Sequence, residues 1–172
     1  MLYLIPLYAE QTTNAIDLCL RNRLVLPALT LLYSGIDVLG FLATDKPGAT
    51  RRSFIAWAEK YMDGLLKIKG IVGMDLYSAR CGVLHTGQAP SNLVHAGKAR
   101  ELWYRFDGES HINLMANTPK VPVLIDVEEL VESFKSGTKR FANDLDTNPA
   151  MKTNAESRAD RFFRRGLLSG PR

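Results

Sequence analysis

Cysteine is scarce in this chain, and that scarcity excludes two classes of protein. Cys19 and Cys81 are the only cysteines among 172 residues, and they lie far apart in apolar segments. A disulfide-built scaffold or a cysteine-ligated zinc site needs several cysteines at close spacing. We therefore expect a reducing compartment. His95 and His111 have no ligand spacing for a metal near them, and Gly70 and Gly73 do not form a phosphate-binding loop, so we expect neither a cofactor nor a metal.

We expect no leader peptide in the first eight residues, and the chain carries no strong charge of one sign. Residues 1–8 are apolar, but they lack a basic flank and a small-residue cleavage motif and are too short to span a bilayer. We expect a cytoplasmic protein that does not associate with a membrane. The 22 basic and 18 acidic residues leave a net charge of +4, which permits an anionic partner without indicating one.

Apolar residues at helical spacing dominate the first half of the chain. They predict helices over residues 7–21, 23–43, 51–69 and 72–86. The second of these is apolar around most of its circumference, so we expect it to be the central helix. Asp37 lies within it and would be costly to bury without a partner.

The pattern changes after Gly87. Large apolar side chains recur at every second position of residues 102–106, and apolar residues do so in residues 112–116 after the turn Asp107-Gly108, which predicts a β-hairpin near residues 100–117. Asp126 is expected to cap one more helix. The predicted fold is mainly α, a bundle of four to five helices with an appended β-hairpin, in one domain over residues 1–146.

The core pattern is expected to end at Asp144, which leaves residues 147–172 as a basic tail that is partly flexible or docked on a partner subunit. This segment is amphipathic around Phe162 and Phe163. The basic residues around these two rings are Arg158, Arg161, Arg164 and Arg165. A docked helix and contact with RNA both remain open as interpretations of this tail.

The helix predicted over residues 72–86 carries the chemistry. Arg80 falls in its apolar stripe, and His85 lies at its C-terminal end, about 140° further round. An arginine can hold a phosphate and a histidine can move a proton near neutral pH, which together suit phosphodiester cleavage without a metal. Asp37 would orient either group. Because the two heads diverge on an α-helix, a dimer that brings two such pairs to one groove would complete the site.

Residues 80–85, Arg80-Cys81-Gly82-Val83-Leu84-His85, resemble the R-x4-6-H signature of HEPN (higher eukaryotes and prokaryotes nucleotide-binding) domains, a family of small helical bundles. The resemblance covers about residues 7–87 and the helix after Asp126. It implies a homodimeric, metal-independent endoribonuclease in which Arg80 contacts the scissile phosphate and His85 is the base or acid. The products would be a 2′,3′-cyclic phosphate and a 5′-hydroxyl. Asp37 resembles an extra polar residue of some members, and a toxin or defence role with an inhibitory protein partner would fit.

A second interpretation requires no catalysis. Arg80 would pair with Asp37 for stability, and His85 would interact with the negative end of the helix dipole. The protein would then be a noncatalytic helical module that binds a nucleotide, RNA or another protein. Exposure separates the two interpretations, since a nuclease needs Arg80 and His85 in a groove open to solvent and a structural pair predicts an enclosed Arg80.

Overall fold

The chain folds into a mainly α structure with short strands appended, as the apolar spacing predicts. The computed structural model describes residues 4–45, 48–86, 91–107, 109–110 and 122–164, excepting the side chains of His85, Thr86, Glu109, Ser110 and Arg164. The helices are α1 (Leu4–Arg21), α2 (Val25–Ala43), α3 (Arg51–Tyr61), α4 (Asp63–Lys69), α5 (Gly73–Cys81), α6 (Asn92–His95), α7 (Val127–Thr147) and α8 (Pro149–Ala159). The strands are β1 (Leu102–Phe106), β2 (Glu109–Ser110) and β3 (Val123–Asp126), and π-helical turns follow α5 (Gly82–Thr86) and α8 (Asp160–Arg164).

Helix α2 is the centre of the bundle, as predicted. It contacts α1, α3, α7 and α8, and Leu32, Ile36 and Leu39 along it are fully buried. Its length and its mean hydropathy of 1.8 would also allow it to cross a membrane, but half of that apolar window is buried inside the fold. Core helices share this composition, so the observation gives little support to a membrane span.

The helix predicted over residues 51–69 is two helices. The backbone breaks at Met62, which has φ −114° and ψ 19° and joins α3 to α4. Apolar side chains keep their helical spacing across the break, with Tyr61, Met62 and Leu65 all buried. Periodicity therefore predicted one helix where the chain forms two.

The predicted hairpin is present where it is described, and it belongs to a three-stranded sheet of order β2-β1-β3. Strands β1 and β2 are antiparallel, with Arg105 opposite Ser110. The whole predicted second strand, residues 112–116, and His111 lie outside the described residues. Strand β3 runs parallel to β1, with Leu102 opposite Val123, and was not predicted.

The expectation that the core pattern ends at Asp144 is wrong. Helix α7 continues to Thr147 and α8 begins at Pro149, where the Asn148 side chain accepts a hydrogen bond from the Met151 backbone N–H at 3.1 Å. Ala155 and Ala159 of α8 are buried, and α8 contacts α1, α2 and α7. The described part of the expected tail therefore packs on its own chain.

Candidate functional site

The fold brings Arg80 of α5 against Asp37 of α2. Nε and Nη2 of Arg80 each lie 2.7 Å from Oδ2 of Asp37. The contact between Arg80 and Asp37, which both interpretations of the sequence allow, is therefore present. The side chains remain 19% and 22% exposed, so the pair lies at the edge of the core and is not enclosed within it.

An aromatic ring on its own helix supports Arg80. The guanidinium carbon of Arg80 lies 5.8 Å from the ring centroid of Tyr77, within the range of a cation–π contact. Tyr77 in turn packs edge-on against Phe54 of α3, with ring centroids 5.5 Å apart. Partial burial disfavours the charge on Arg80, but hydrogen bonding and attraction from Asp37 outweigh it, and the pKa of Arg80 is raised. Arg80 therefore remains a cation with a fixed position.

His85 lies in the π-helical turn that follows α5. Its side chain is outside the described part of the structure. The backbone nevertheless changes the expected geometry, because a π-turn forms hydrogen bonds between residues five apart. Positions 80 and 85 are five apart, and the turn reduces the angle of about 140° that an uninterrupted α-helix would place between them.

Arg80 and Asp37 border a pocket of about 480 Å³ that lies between α2, α5, the start of α3 and the C-terminal π-turn. This volume is within the range of small-ligand sites. Its lining residues are Asp37, Val38, Phe41, Ala49, Thr50, Arg51, Tyr77, Arg80 and Phe162. The charged residues of the lining are two arginines and one carboxylate, so the pocket favours an anionic ligand.

Arg51 and Phe162 are pocket residues that sequence reasoning did not identify. Arg51 is exposed at the first position of α3, and its side chain forms no hydrogen bond or ion pair with the residues that the structure describes. Nothing in the local sequence links Arg51 to Arg80. The signal for Phe162 was its place in the amphipathic basic segment, but that segment was expected to leave the domain.

The two basic side chains of that segment that the structure describes, Arg158 and Arg161, contact different parts of the chain. Arg158 donates from Nη1 to the Phe41 carbonyl oxygen at 3.3 Å, and its guanidinium carbon lies 5.1 Å from the centroid of the Phe41 ring. Arg161 donates to the Ser157 carbonyl oxygen at 3.5 Å and does not line the pocket. The Arg164 side chain and Arg165 lie outside the described residues. Arg158 therefore fixes the C-terminal turn against α2.

No group of three or more His, Cys, Asp or Glu residues suited to a metal occurs within the described ranges. Comparison of the chain with protein-family models, with curated proteins and with solved structures found no match. The proposal for its function therefore depends on the chemistry of the Arg80 pocket and on the resemblance of residues 80–85.

Proposed function

We propose that this protein is a metal-independent endoribonuclease of the HEPN type that acts as a homodimer in the cytoplasm. The observation that carries the proposal is the placement of Arg80, held by Asp37 at the edge of an open pocket and followed by a π-turn that contains His85. Cleavage of RNA there would leave a 2′,3′-cyclic phosphate and a 5′-hydroxyl.

In this mechanism, Arg80 stabilises the negative charge that grows on the phosphate oxygens. A guanidinium has five N–H donors, and Asp37 accepts from the Nε and Nη2 edge. That contact sets the plane and the position of the guanidinium before substrate binds. A donor that is already oriented has little reorganisation to make in the transition state, which is the basis of electrostatic catalysis.

His85 would take the proton from the ribose 2′-hydroxyl and later return a proton to the leaving 5′-oxygen. Histidine suits both steps because its ordinary pKa lies near neutrality. An isologous dimer interface at this end of α5 would bring two Arg80 and His85 pairs to one groove. An inhibitory protein partner that covers the groove would suit a toxin or defence component.

The same contact supports a second candidate, a noncatalytic helical module that binds RNA, a nucleotide or a protein. The Arg80 and Asp37 side chains are each about four-fifths buried, so removal of one partner would leave the other charge poorly solvated. In this candidate, removal of Arg80 would affect folding and no reaction would be lost.

Cleavage of end-labelled RNA in the presence of EDTA tests the proposal. We expect the parent to cleave, and Arg80→Ala and His85→Ala to lose at least about 100-fold in rate while remaining folded. Arg105→Ala and His95→Ala are matched controls. Arg105 also donates from Nε to a carboxylate, Asp126, at 2.6 Å, but does so in the sheet, and His95 is an exposed residue of α6. Both controls should cleave like the parent.

Two results would contradict the nuclease. One is equal loss of cleavage in the Arg105→Ala control, which would indicate sensitivity to stability alone. The other is a parent that cleaves none of a varied set of RNAs while Arg80→Ala unfolds at lower denaturant concentration, which would favour the noncatalytic module.

A further inference from the structure

We propose that the Arg80 pocket is a nucleotide subsite in which one unpaired base stacks on Phe162 while its phosphate lies between Arg51 and Arg80. This inference rests on the proposed function, because it takes RNA to be the ligand of the pocket. It assigns to the C-terminal π-turn a part of the site that α2 and α5 do not supply.

Phe162 is an exposed aromatic residue held in a fixed place. It is 44% exposed and lines the pocket. Its ring centroid lies 6.1 Å from that of Phe41 and 5.0 Å from that of Phe163, and Phe163 packs on Tyr8 at 5.3 Å. A large ring that is supported on one side and open on another is a suitable platform for a base, since stacking is available to every base.

The charges of the pocket indicate what accompanies the base. Arg51 and Arg80 line it together with Phe162, and the carboxylate of the lining, Asp37, already accepts hydrogen bonds from Arg80. A guanidinium pair beside an aromatic ring matches a phosphate attached to a base better than it matches an apolar protein segment. The pocket of about 480 Å³ is large enough for such a ligand.

Stacking on Phe162 would restrict which RNA the pocket accepts. A base can stack on Phe162 only when it has left its own helical stack, so the pocket would select unpaired positions in loops or single strands. Double-stranded RNA would keep its bases out of reach of the ring. The preference would come from Phe162 and would not depend on the residues that move protons.

Binding of a fluorescently labelled single-stranded oligonucleotide tests this subsite. Every sugar of the probe carries a 2′-O-methyl group, so no 2′-hydroxyl is available for cleavage. We expect Phe162→Leu to weaken binding by at least about fivefold and Phe162→Tyr to retain it, because only the first removes the ring. The matched control is Phe106→Leu, which makes the same substitution in β1, outside the pocket lining, and we expect a change of less than about twofold. Arg51→Gln should reduce the dependence of binding on salt, because one phosphate contact is lost.

Three outcomes would overturn the subsite. The first is equal affinity of parent and Phe162→Leu, or no binding by the parent. The second is an equal loss in Phe162→Leu and Phe106→Leu, which would show that lower stability alone weakens binding. The third is a change of Phe162→Leu from dimer to monomer that accounts for its whole loss of affinity, which would assign the pocket to a second copy of the chain.

The probe also separates this inference from the proposed nuclease. Binding that depends on Phe162, without cleavage of ordinary RNA by the parent, would support the subsite and contradict the nuclease. Cleavage of ordinary RNA with a KM that Phe162→Leu leaves unchanged would support the nuclease and overturn the subsite.

Discussion

The contact between Arg80 and Asp37 should affect the stability of the fold whether or not the protein catalyses a reaction. In Arg80→Met, the Asp37 carboxylate keeps its position at the edge of the core but loses its partner. We expect the free energy of unfolding to fall by about 1 to 3 kcal/mol, between the values for exposed and buried pairs. Urea denaturation followed by circular dichroism would measure it.

The appropriate control is Arg105→Met, since the Arg105 side chain is 42% exposed in its pair with Asp126. We expect that change to lower the free energy of unfolding by less than Arg80→Met does. The double variant Arg80→Met/Asp37→Leu should recover much of the loss, because no unpaired carboxylate remains. A double variant no more stable than Arg80→Met would contradict this explanation.

The residues of the candidate site differ in how far the sequence could predict them. Asp37 and Arg80 are charged side chains in apolar helical stripes, and a polar group in such a place needs a partner, so their pairing was a reasonable hypothesis. Arg51 and Phe162 are exposed and lie on other elements. Only the packing of the C-terminal turn on α2 brings them to Arg80, and no local pattern encodes that contact.

Alanine substitutions at two helical glycines should change stability in opposite directions, because only one of the positions lies against a neighbouring helix. A Cβ at Gly40 of α2 would lie 2.7 Å from the backbone carbonyl oxygen of Ser53, whereas a Cβ at Gly64 of α4 would meet nothing within 4 Å. We expect Gly40→Ala to destabilise the protein by about 1 to 3 kcal/mol, because α2 and α3 must separate. Gly64→Ala should stabilise it by up to about 1 kcal/mol through helix propensity.

Thermal unfolding of the two variants beside the parent would measure both effects. Each replaces a helical glycine by alanine, so the intrinsic gain in helix propensity has the same sign in both. The difference between them therefore reports the close approach of α2 to α3. Equal shifts in Tm for Gly40→Ala and Gly64→Ala would contradict that close approach.

The spacing of apolar residues predicted some helices and strands and missed others. It predicted α2 and α7, in which large apolar side chains recur over many turns. It missed α8, because that helix buries alanines by close approach, and because Asn148-Pro149 suits a linker as well as an N-cap followed by a first-turn proline. Strand β3 was missed because four residues between a proline and a helix carry little periodicity, and its parallel pairing with β1 is not local.

Asp63 links α4 to α7, and its contacts with basic side chains should make the stability of the fold depend on pH. Hydrogen bonding from Arg140, and then from Lys67, lowers the pKa of Asp63 from 3.8 to about 2. The ionised carboxylate therefore stabilises the fold fully above the unfolded-state value, and this contribution is lost as the pH falls through the folded-state value. Between about pH 4 and about pH 2, the unfolding free energy of the parent should fall more steeply than that of Asp63→Asn.

Urea denaturation at a series of pH values would test this, with Arg140→Gln as the second variant. The Nη1 of Arg140 lies 2.6 Å from Oδ1 of Asp63, and its loss removes the larger cause of the shift. Arg140→Gln should therefore flatten the same part of the pH profile. A profile as steep as that of the parent in both variants would show that other groups control the acid sensitivity.

The proposed dimer predicts that an inactive copy of the chain inhibits the parent. If each groove needs the Arg80 and His85 pairs of both protomers, a mixed dimer has no complete groove. A tenfold excess of the double variant Arg80→Ala/His85→Ala, allowed to exchange subunits, should reduce cleavage by the parent to about a tenth, because few parent chains then meet another parent chain.

The same excess of Arg105→Ala/His95→Ala is the control, and it should add activity because its grooves are complete. Analytical ultracentrifugation would establish that both double variants form dimers with the parent. Undiminished cleavage in the presence of mixed dimers would show that one protomer holds a complete site, and Arg80 and His85 would then act from consecutive turns of a single chain. A parent that is monomeric at all concentrations and still cleaves RNA would contradict the shared groove itself, since no second pair would be present to complete it.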